Sequence, residues 1–470
     1  MKLYNTRTRA LEEFKPLKPP HVRIYVCGLT PSAEAHAGHA RSFLFFDVLR
    51  NYLEHLRYDV TFVQNVTDID DRSIERAKET GEHWYDIVGS YYASFKESMR
   101  KLGVRQPDEE PYATRFIPQI VEMIRQLVDK GYAYVSKGGV YYRVAKFPRY
   151  GALSGRNVKD LEAGARVEVD EFKDDPLDFA LWKFAKPGEP TWPSPWGDGR
   201  PGWHIECSAM SRSLLDPPGE GFDIHGGGAD LIFPHHENEI AQSEPLMKKP
   251  PMANFWLHGG LVQFESRKMS KSLGNFEPLA DLLERFDPQA IRLAFLQTGY
   301  SKVMNFTDES MAAANAGLNR IKECWRELDR GEGRDGSLMP RIEAALDEDF
   351  NTAQALSEIF GYISNPKTAN RAELTYVLAL LGIKPDDSWL ADAPRMLRVD
   401  FLDRLHDELG SQVSLNRETP EGAIAQVLRL RARARAEKDW KESDRLRDAL
   451  LRCGVELRDE QGGETTWQPV

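Results

Sequence analysis

Strand-like and helical segments alternate in the first part of the chain, and this order constrains the fold more than any other feature. Val22–Val26 and Val60–Val63 are apolar runs typical of buried strands. After the second run, Asn65–Asp68 is predicted to cap a helix that begins near Arg72. The intervening helix is predicted from apolar residues at helical spacing: Phe45, Phe46, Leu49, Tyr52, Leu53 and Leu56. The alternation predicts a parallel sheet with right-handed crossovers, which binds ligands beyond the carboxyl ends of its strands.

The middle of the chain has a different pattern. Tyr132–Val144 is aromatic and strand-like, and Pro187–Pro201 is a connector rich in proline, glycine and tryptophan. We therefore predict that residues 118–195 are an insertion between two halves of the sheet domain. The second half holds Trp203–Glu239 and ends in a strand predicted from Phe255 to Phe264.

The rest of the chain is predicted to be mainly helical and to end in a small mixed α/β region. Pro288–Leu296 and most of Met311–Leu409 follow a helical pattern, with a loop at Gly331–Gly336. From about Pro420, an Arg-rich helix precedes two short strands, Val455–Leu457 and Thr465–Trp467. The predicted divisions of the chain are 1–117, 118–195, 196–264, 265–310, 311–410 and 411–470.

Composition indicates a soluble globular protein. The 470 residues are 41% hydrophobic and 29% charged, and their length is typical of about three domains. A net charge of -11 excludes a generally basic coat, so a polyanion must meet a local positive patch. The chain opens without a signal-peptide pattern and contains no apolar run near the roughly 18 residues of a membrane span, so we expect a cytoplasmic protein. Its four cysteines are widely spaced, which favours thiols or metal ligands over disulfides.

Potential metal ligands occur within and upstream of Trp203–Glu239. Pro234 suits the first turn of a helix that Pro245 ends, so His235 and Glu239 are i and i+4 on one helix face. Two cysteines can complete a zinc-type set: Cys207 and Cys27. The alternatives are buried cysteines that act as small apolar residues and a His–Glu pair on a helix surface, because the ligands are dispersed and no C-x-x-C pair is present.

Two segments have features of phosphate sites. His36-Ala37-Gly38-His39 is predicted at a strand-to-helix turn, where backbone N–H groups and imidazoles can donate hydrogen bonds to phosphate oxygens. Lys268-Met269-Ser270-Lys271-Ser272 places two lysines in a short loop, which suits the charge that grows on a phosphate during displacement. Ordinary turn histidines and a solvated loop are the alternative interpretations.

Four further polar or aromatic features of the sequence each have a functional and a structural interpretation. Gly226–Asp230 could admit a ligand against the backbone, with Asp230 accepting hydrogen bonds from ribose, or could be a tight turn. The acidic group Asp68, Asp70 and Asp71 resembles a metal cluster but is more typical of helix caps. A basic run near the C-terminus could bind RNA or form a solvated helix: Arg429, Arg431, Arg433, Arg435, Lys438, Lys441, Arg445 and Arg447. Trp467 could stack on a base or fill a small core.

Taken together, these segments resemble a class I aminoacyl-tRNA synthetase, specifically the cysteinyl-tRNA synthetase family. The match covers nearly the whole chain. Its most specific parts are Tyr25–Gly28, Asn65–Asp71, Gly202–Met210, Gly226–Glu244 and Lys268–Asn275. The resemblance implies a Rossmann-like catalytic domain with a connective insertion, a stem-contact region after the lysine loop, a helical tRNA-binding domain and a C-terminal anticodon-binding region.

The resemblance also implies the chemistry. One Zn²⁺ per subunit would be held by residues matching the family's ligands, Cys27, Cys207, His235 and Glu239, and would bind the thiolate of substrate cysteine in preference to serine. Catalysis of adenylate formation from ATP, with Mg²⁺, is implied for His36, His39, Lys268 and Lys271. The adenylate would be lined by Gly38, Gly228, Asp230, Val262 and Lys271. The cysteine pocket would be formed by Gly28, Thr30, Asn65, Thr67, Trp203 and His225. Contacts with tRNA(Cys) are expected at Arg431, Arg435 and Trp467, in a monomer.

The sequence differs from the family pattern at two places, and two other functions are considered. Ala37 stands where the family usually has isoleucine, and Pro31-Ser32-Ala33 replaces a segment that often carries a tyrosine and an aspartate. One rival is an ATP-dependent ligase that joins cysteine to a small amine, but such enzymes lack the section after Gly410. The other is a non-catalytic RNA-binding or metal-sensing relative, which would not need His36 and the loop lysines.

Overall fold

The computed structural model describes residues 1–156, 172–216, 219–264, 267–268, 278–328, 336–364, 369–386, 389, 401–410, 419–459 and 465–469. The chain forms two compact units, Met1–Lys384 and Pro385–Val470. None of the helices in these ranges combines the length and the hydropathy of a membrane span.

The strands are β1 (Lys2–Asn5), β2 (Ala10–Glu13), β3 (His21–Leu29), β4 (Asp59–Val66), β5 (Ala133–Ser136), β6 (Gly139–Tyr142), β7 (Phe179–Phe184), β8 (Gly199–Pro201), β9 (Phe222–Gly228), β10 (Ala253–Gly259), β11 (Val262–Phe264), β12 (Arg267–Lys268), β13 (Met304–Phe306), β14 (Val455–Asp459) and β15 (Thr465–Pro469). The α-helices are α1 (Ala37–His55), α2 (Asp71–Thr80), α3 (Trp84–Lys101), α4 (Ile117–Asp129), α5 (Trp203–Leu215), α6 (Glu237–Ser243), α7 (Leu279–Arg285), α8 (Pro288–Leu296), α9 (Asp308–Glu327), α10 (Met339–Asp347), α11 (Thr352–Ile363), α12 (Arg371–Leu380), α13 (Phe401–Leu409), α14 (Pro420–Ala436) and α15 (Trp440–Arg452).

The predicted parallel sheet is confirmed and has the order β10-β9-β3-β4. Its strands are apolar because helices and loops cover both faces, as in other parallel sheets. The chain moves from β3 to β4 on one side and later adds β9 on the other side. The carboxyl ends of β3 and β9 therefore form a topological switch point, where open α/β sheets bind ligands.

The cap of α2 differs from the sequence prediction. Asp70 is the N-cap residue, and its side chain accepts a hydrogen bond from Arg72 N at 3.0 Å. Asp68 instead accepts a hydrogen bond from Thr114 N at 2.9 Å. Asp71, the first residue of the helix, pairs with Lys183 Nζ at 2.6 Å. The capping interpretation of this acidic group thus holds for Asp70 alone, because tertiary partners bind the other two carboxylates.

The insertion contains a four-stranded antiparallel sheet, β5-β6-β7-β8. The segment predicted as the connector Pro187–Pro201 contributes its last residues to β8, so it is not a connector throughout. This sheet packs on the catalytic part of the first unit, and Tyr142 Oη donates a hydrogen bond to Ala241 O at 2.6 Å. Arg200 in β8 is buried and forms an ion pair with Asp71. The insertion is therefore fixed against the start of α2.

The single strand predicted from Phe255 to Phe264 is two strands. β10 ends at Gly259 in the parallel sheet, and β11 pairs with β13 in a separate three-stranded sheet. The break occurs at Gly260, whose N–H donates to Tyr300 O at 2.7 Å. A Cβ at Gly260 would lie 2.1 Å from Lys302 O, so the close approach of the two segments requires glycine. The turn is held by Arg41 of α1, which donates to Gly260 O at 3.1 Å.

The helical region follows the predicted pattern, with α8 at Pro288–Leu296. Its buried Arg292 donates to Asp47 of α1 at 2.8 Å and so connects the helices to the catalytic sheet. The loop predicted at Gly331–Gly336 lies outside the described residues except for its last glycine.

The second unit is a small mixed α/β domain, as predicted. Helices α13, α14 and α15 pack with the antiparallel pair β14–β15 around an apolar cluster that includes Leu405, Ile424, Val427, Leu446 and Leu450.

Candidate active site

A cavity of about 340 Å³ opens in the first unit at the carboxyl ends of β3, β9 and β10. Parallel strands bring their carboxyl ends to one edge, so distant segments of the sequence meet there. The cavity is lined by ten of the residues singled out in the sequence: Cys27, Gly28, Thr30, His36, Gly38, His39, Trp203, Gly228, Asp230 and Val262.

Four buried ligand-type residues meet at one end of this cavity. The ligand atoms of Cys27, Cys207, His235 and Glu239 all lie within 4.8 Å of one another. Cys27 Sγ is 3.7 Å from Cys207 Sγ and 3.4 Å from Glu239 Oε1, and His235 Nε2 is 3.2 Å from the same oxygen. The structure thus brings together the four residues that the sequence analysis selected as candidate ligands.

The local backbone structure of each element positions its candidate ligand. The register of β3 shifts between Val26 and Leu29, which turns Cys27 out of the regular strand pattern. Cys207 lies in the middle of α5. His235 and Glu239 belong to one helical segment that begins at Pro234, after a Phe233 with extended backbone. Their i,i+4 spacing places both side chains on one face, as predicted.

The donor set fits zinc. Two sulfurs bound at ~2.3 Å on a tetrahedral zinc would be separated by about 3.8 Å, and the two cysteine sulfurs here lie 3.7 Å apart. Two thiolates, an imidazole and a carboxylate are also ligands that zinc accepts. A second set with similar spacing, Cys27, His225, His236 and Glu239, shares two of these residues. The first set is favoured because it supplies both sulfurs.

A layer of histidines surrounds the cluster. His225 Nε2 is 3.0 Å from Glu239 Oε2, and its ring stacks on Trp256 at 4.4 Å between centroids. His204 Nδ1 is 3.0 Å from His235 Nδ1, which leaves His235 Nε2 directed at Glu239. Such outer contacts fix the orientation of metal ligands. His204 was not among the candidates from the sequence, although its i,i+3 spacing from Cys207 on a helix could have indicated it.

The buried groups of the cluster shift one another's pKa values. Burial alone would raise the pKa of the Glu239 carboxyl, but His225 and His235 lower it to about 2. Burial also raises the pKa of the Cys207 thiol, but the hydrogen bond with Cys27 and the charge of His235 lower it to about 6. Burial lowers the pKa of His235, but Cys207 and Glu239 outweigh it and raise the pKa to about 10. The negative charges of Cys207 and Glu239 are thus balanced in part by a protonated His235, which must lose its proton when it binds a metal.

The histidine pair lies at the start of α1, as predicted. His36 is the N-cap residue, and its Nδ1 accepts from Gly38 N at 3.1 Å. His39 Nδ1 accepts from His36 N at 3.2 Å, and the two rings stack at 3.8 Å between centroids. Because both Nδ1 atoms accept backbone N–H groups, the neutral rings carry their protons on Nε2. Both side chains line the cavity beside the N–H groups of the helix start.

The remaining predicted residues divide into those that line the cavity and those behind it. Gly28 N donates to Asn65 Oδ1 at 2.9 Å, and Asn65 Nδ2 donates to Thr67 Oγ1 at 3.3 Å, so the two buried polar residues support the cavity wall. The Trp203 ring lies 4.4 Å from the His235 ring. Lys268 is in β12, but its side chain and all of Lys271 lie outside the described residues.

Comparisons with known proteins agree with this geometry. Residues 13–316 match the family model of the tRNA synthetases class I (C) catalytic domain. Residues 418–467 match that of the cysteinyl-tRNA ligase anticodon binding domain, and residues 341–382 match that of the DALR domain. The chain belongs to the cysteinyl-tRNA synthetase family.

Relatives in this family match over their whole length. The cysteine–tRNA ligase of Methylococcus capsulatus is 45% identical over 488 residues, covering 100% of this chain and 99% of that protein. That of Desulfotalea psychrophila is 44% identical over 491 residues, covering 99% and 98%. The chain is therefore an ATP-dependent aminoacyl-tRNA synthetase by family.

Solved structures support the fold. The Mycobacterium tuberculosis methionyl-tRNA synthetase bound by methionyl-adenylate has a TM-score of 0.55 at 15% identity, covering 81% of this chain and 95% of that one. The Agrobacterium radiobacter LeuRS–tRNA–LeuAMS complex has a TM-score of 0.55 at 12% identity, covering 81% and 89%. At these identities the likeness concerns the class I fold alone.

The part matching the anticodon binding domain lies in the second unit and differs from expectation in detail. Arg431 is 6% exposed and donates to Thr465 Oγ1 at 3.2 Å, and Trp467 packs against the apolar cluster. Arg435 is half-buried. Trp440, which sequence analysis did not select, is 59% exposed. Helical periodicity could have indicated the burial of Arg431, because it follows Ile424 and Val427 on the apolar face of α14.

Proposed function

We propose that this cysteinyl-tRNA synthetase relative activates L-cysteine with ATP, releasing pyrophosphate, and transfers the cysteinyl group from the adenylate to the 3′-terminal adenosine of tRNA(Cys). The observation that carries the proposal is the cluster of four candidate metal ligands at the end of the cavity that also holds the histidine pair. A thiol-selective ligand set and a phosphate-binding helix start thus share one space. The small-amine ligase is disfavoured by the match to an anticodon binding domain at residues 418–467.

Cys27, Cys207, His235 and Glu239 are proposed to hold one Zn²⁺ per subunit. Zinc bound there would supply a coordination position for the substrate thiolate and reject the harder serine hydroxyl. A methylene-sized difference in an apolar pocket gives only about 1–3 kcal/mol of discrimination. The outer histidines His204 and His225 hold two of the ligands in orientation, which the selection of cysteine would require.

Six residues are proposed to form the cysteine pocket. Gly28, Thr30 and Trp203 would contact the amino acid, because they line the cavity next to the cluster. Three buried residues would act behind them: Asn65, Thr67 and His225. Asn65 Oδ1 accepts a hydrogen bond from the Gly28 amide and so orients the wall nearest to Cys27.

In the first reaction, a cysteine carboxylate oxygen attacks the α-phosphorus of ATP, and the bond to the bridging oxygen breaks as pyrophosphate leaves. Negative charge on the phosphate oxygens would be stabilised by Nε2–H donors of His36 and His39 and by the helix start at Gly38. Lys268 and Lys271 are proposed to contribute positive charge, with Mg²⁺ bound to ATP.

The other end of the cavity is proposed to bind the nucleoside. Gly228, Asp230 and Val262 line it on the side of β9 and β11. The Asp230 carboxylate would accept hydrogen bonds from ribose hydroxyls, as acidic residues do in other nucleotide-binding α/β folds.

For tRNA we propose a surface on the second unit. Arg435 stays a candidate contact, whereas Arg431 and Trp467 would act by supporting the unit, since one is buried and the other packs on its core. Exposed residues of α14, α15 and the turn between them would add contacts: Arg429, Arg433, Lys438, Trp440 and Lys441. Cations and an exposed aromatic ring suit phosphates and an unstacked base.

We also propose that the chain divides after residues 117, 195, 264, 310 and 410. The resulting regions are the two catalytic halves with the connective insertion between them, then the stem-contact, helical and anticodon-binding regions. A monomeric state and a cytoplasmic location are proposed as well. Residues 341–382 of the proposed helical region match the DALR domain model.

Attachment of radiolabelled cysteine to unfractionated tRNA by the zinc-loaded protein with ATP tests the function. Rapid labelling that excess serine does not reduce supports the proposal. If no tRNA is labelled while cysteine drives pyrophosphate exchange, the acceptor is wrong and the small-amine ligase becomes the better interpretation. Absence of both activities rejects the proposal.

A further inference from the structure

We propose that Arg72 binds a substrate oxyanion at the wall of the catalytic cavity. This inference rests on the proposed function and adds a substrate-contacting residue that lies outside the histidine pair and the lysine loop. Arg72 is the one lysine or arginine among the described residues that line the cavity. The cavity must accept several negative groups, because ATP, the cysteine carboxylate and the phosphates of the tRNA 3′ end all carry them.

The position of Arg72 is fixed by its neighbour. Its Nε donates to Asp70 Oδ1 at 2.9 Å, and the same oxygen accepts from Arg72 N at 3.0 Å as the cap of α2. A guanidinium has five N–H donors, so one bond from Nε leaves donors for a ligand. The side chain is 63% exposed. Arg72 is thus anchored at its base and accessible at its tip.

The start of α2 is itself held in place. Asp71 pairs with Lys183 at 2.6 Å and with buried Arg200, which connect it to the insertion sheet. Asp70, the N-cap residue of the same turn, holds the Arg72 side chain directly, and the insertion holds the turn through Asp71. A planar guanidinium held in this way suits bidentate recognition of a carboxylate or phosphate.

The electrostatic balance of the cavity supports the same role. Glu34 and Asp230 also line it, so without Arg72 the permanent charges of the described lining would be negative. Glu34 Oε2 already accepts a hydrogen bond from Ser94 Oγ at 2.9 Å, which engages one of these carboxylates within the protein. Arg72 offsets one of these two negative charges, and its remaining guanidinium donors can pair with an oxyanion.

The test compares Arg72→Ala, Arg72→Gln and Arg72→Lys with Arg76→Ala in the full-length zinc-loaded protein. Arg76 is a matched control: it is an exposed arginine one turn further along α2, and its guanidinium lies over the Tyr91 ring rather than on the cavity wall. Cysteine-dependent ATP–pyrophosphate exchange and transfer to tRNA are measured separately, with thermal unfolding as a check on the fold.

Arg72→Ala is expected to raise one KM or slow one step by about 10-fold to 100-fold, the range for a charge-assisted hydrogen bond, with the unfolding midpoint unchanged. A higher KM for ATP identifies the triphosphate, a higher KM for cysteine identifies the carboxylate, and slow transfer with normal exchange identifies the tRNA 3′ end. Arg72→Lys should recover part of the loss relative to Arg72→Gln.

Three outcomes would overturn the inference: all parameters of Arg72→Ala within twofold of wild type, equal defects in Arg72→Ala and Arg76→Ala, or equal defects in Arg72→Lys and Arg72→Gln. Wild-type protein that forms no adenylate would instead reject the proposed function, so the two failures are distinguishable.

Discussion

Replacing Gly28 by alanine tests whether the bulge in β3 positions the metal cluster. An alanine Cβ would lie 1.7 Å from Asn65 O, whereas Cβ atoms in proteins essentially never lie closer than 3.0 Å to another heavy atom of this kind. The neighbouring contact is backbone, so no side chain can rotate to make room. β3 and the end of β4 must therefore separate by more than an ångström, next to the ligand Cys27.

The expected magnitude follows from this displacement. Metal–ligand distances tolerate only about 0.2 Å of change, so the Cys27 sulfur can no longer share one ion with the other ligands at ideal geometry. We expect the affinity for zinc to decrease by about 10-fold to 100-fold, the effect of losing contacts that orient the ligands of a metal site. The crowding itself should cost about 1–3 kcal/mol of stability.

The assay is zinc affinity by competition with a chelator, together with cysteine-dependent ATP–pyrophosphate exchange. Gly89→Ala is the matched control, because Gly89 lies in α3 and a Cβ there meets nothing within 4 Å. The control should bind zinc and activate cysteine as wild type does. If Gly28→Ala retained wild-type zinc affinity and exchange, the close approach of β3 to Asn65 would not position the cluster.

Three further predictions concern other parts of the molecule. Cys207→Ser should lower zinc content and cysteine activation together, measured by elemental analysis and exchange; retention of both would remove Cys207 from the ligand set. Burial, with a smaller effect of His225, lowers the pKa of His258 to about 3. In the unfolded chain a histidine has a pKa near 6.5, so it takes up a proton at a higher pH than the folded protein does. The free energy of unfolding should therefore decrease as the pH falls below 6.5, by about 2 kcal/mol at pH 5. His258→Gln should flatten the dependence of the unfolding midpoint on pH between 7 and 5, and an unchanged slope would contradict this. Trp440→Ala and Arg433→Glu should weaken tRNA binding in a filter assay without changing exchange, whereas Arg431→Glu should lower the unfolding midpoint of the second unit; normal tRNA binding by both exposed-site variants would reject the surface.

Local patterns predicted much of the fold because they report burial directly. Apolar runs separated by a helical pattern indicated β3, α1 and β4, and the spacing of His235 and Glu239 indicated a shared helix face. The break at Gly260 was not predictable in the same way. It depends on Tyr300 and Lys302, which approach from a later segment that no local pattern connects to it.

The candidate site was predicted by residue type more successfully than by environment. The sequence indicated the four candidate ligands and the histidine pair. The surrounding histidines join the site only through tertiary contacts, as for His258 with His236 at 2.7 Å. Arg431 shows the opposite case, in which an arginine taken for an RNA contact is buried on an apolar helix face. Charge alone therefore did not distinguish a binding surface from a supporting contact.

The most direct measurement is the ratio of kcat/KM for cysteine to that for serine in ATP–pyrophosphate exchange, with zinc bound and after its removal. Selection by thiolate coordination predicts a ratio far above the roughly 200-fold limit of a methylene-sized pocket difference. It also predicts that both this ratio and cysteine activation decrease sharply when zinc is removed. A ratio below that limit in the zinc-bound protein, or a high ratio that survives removal of the metal, would contradict a metal-based choice of substrate.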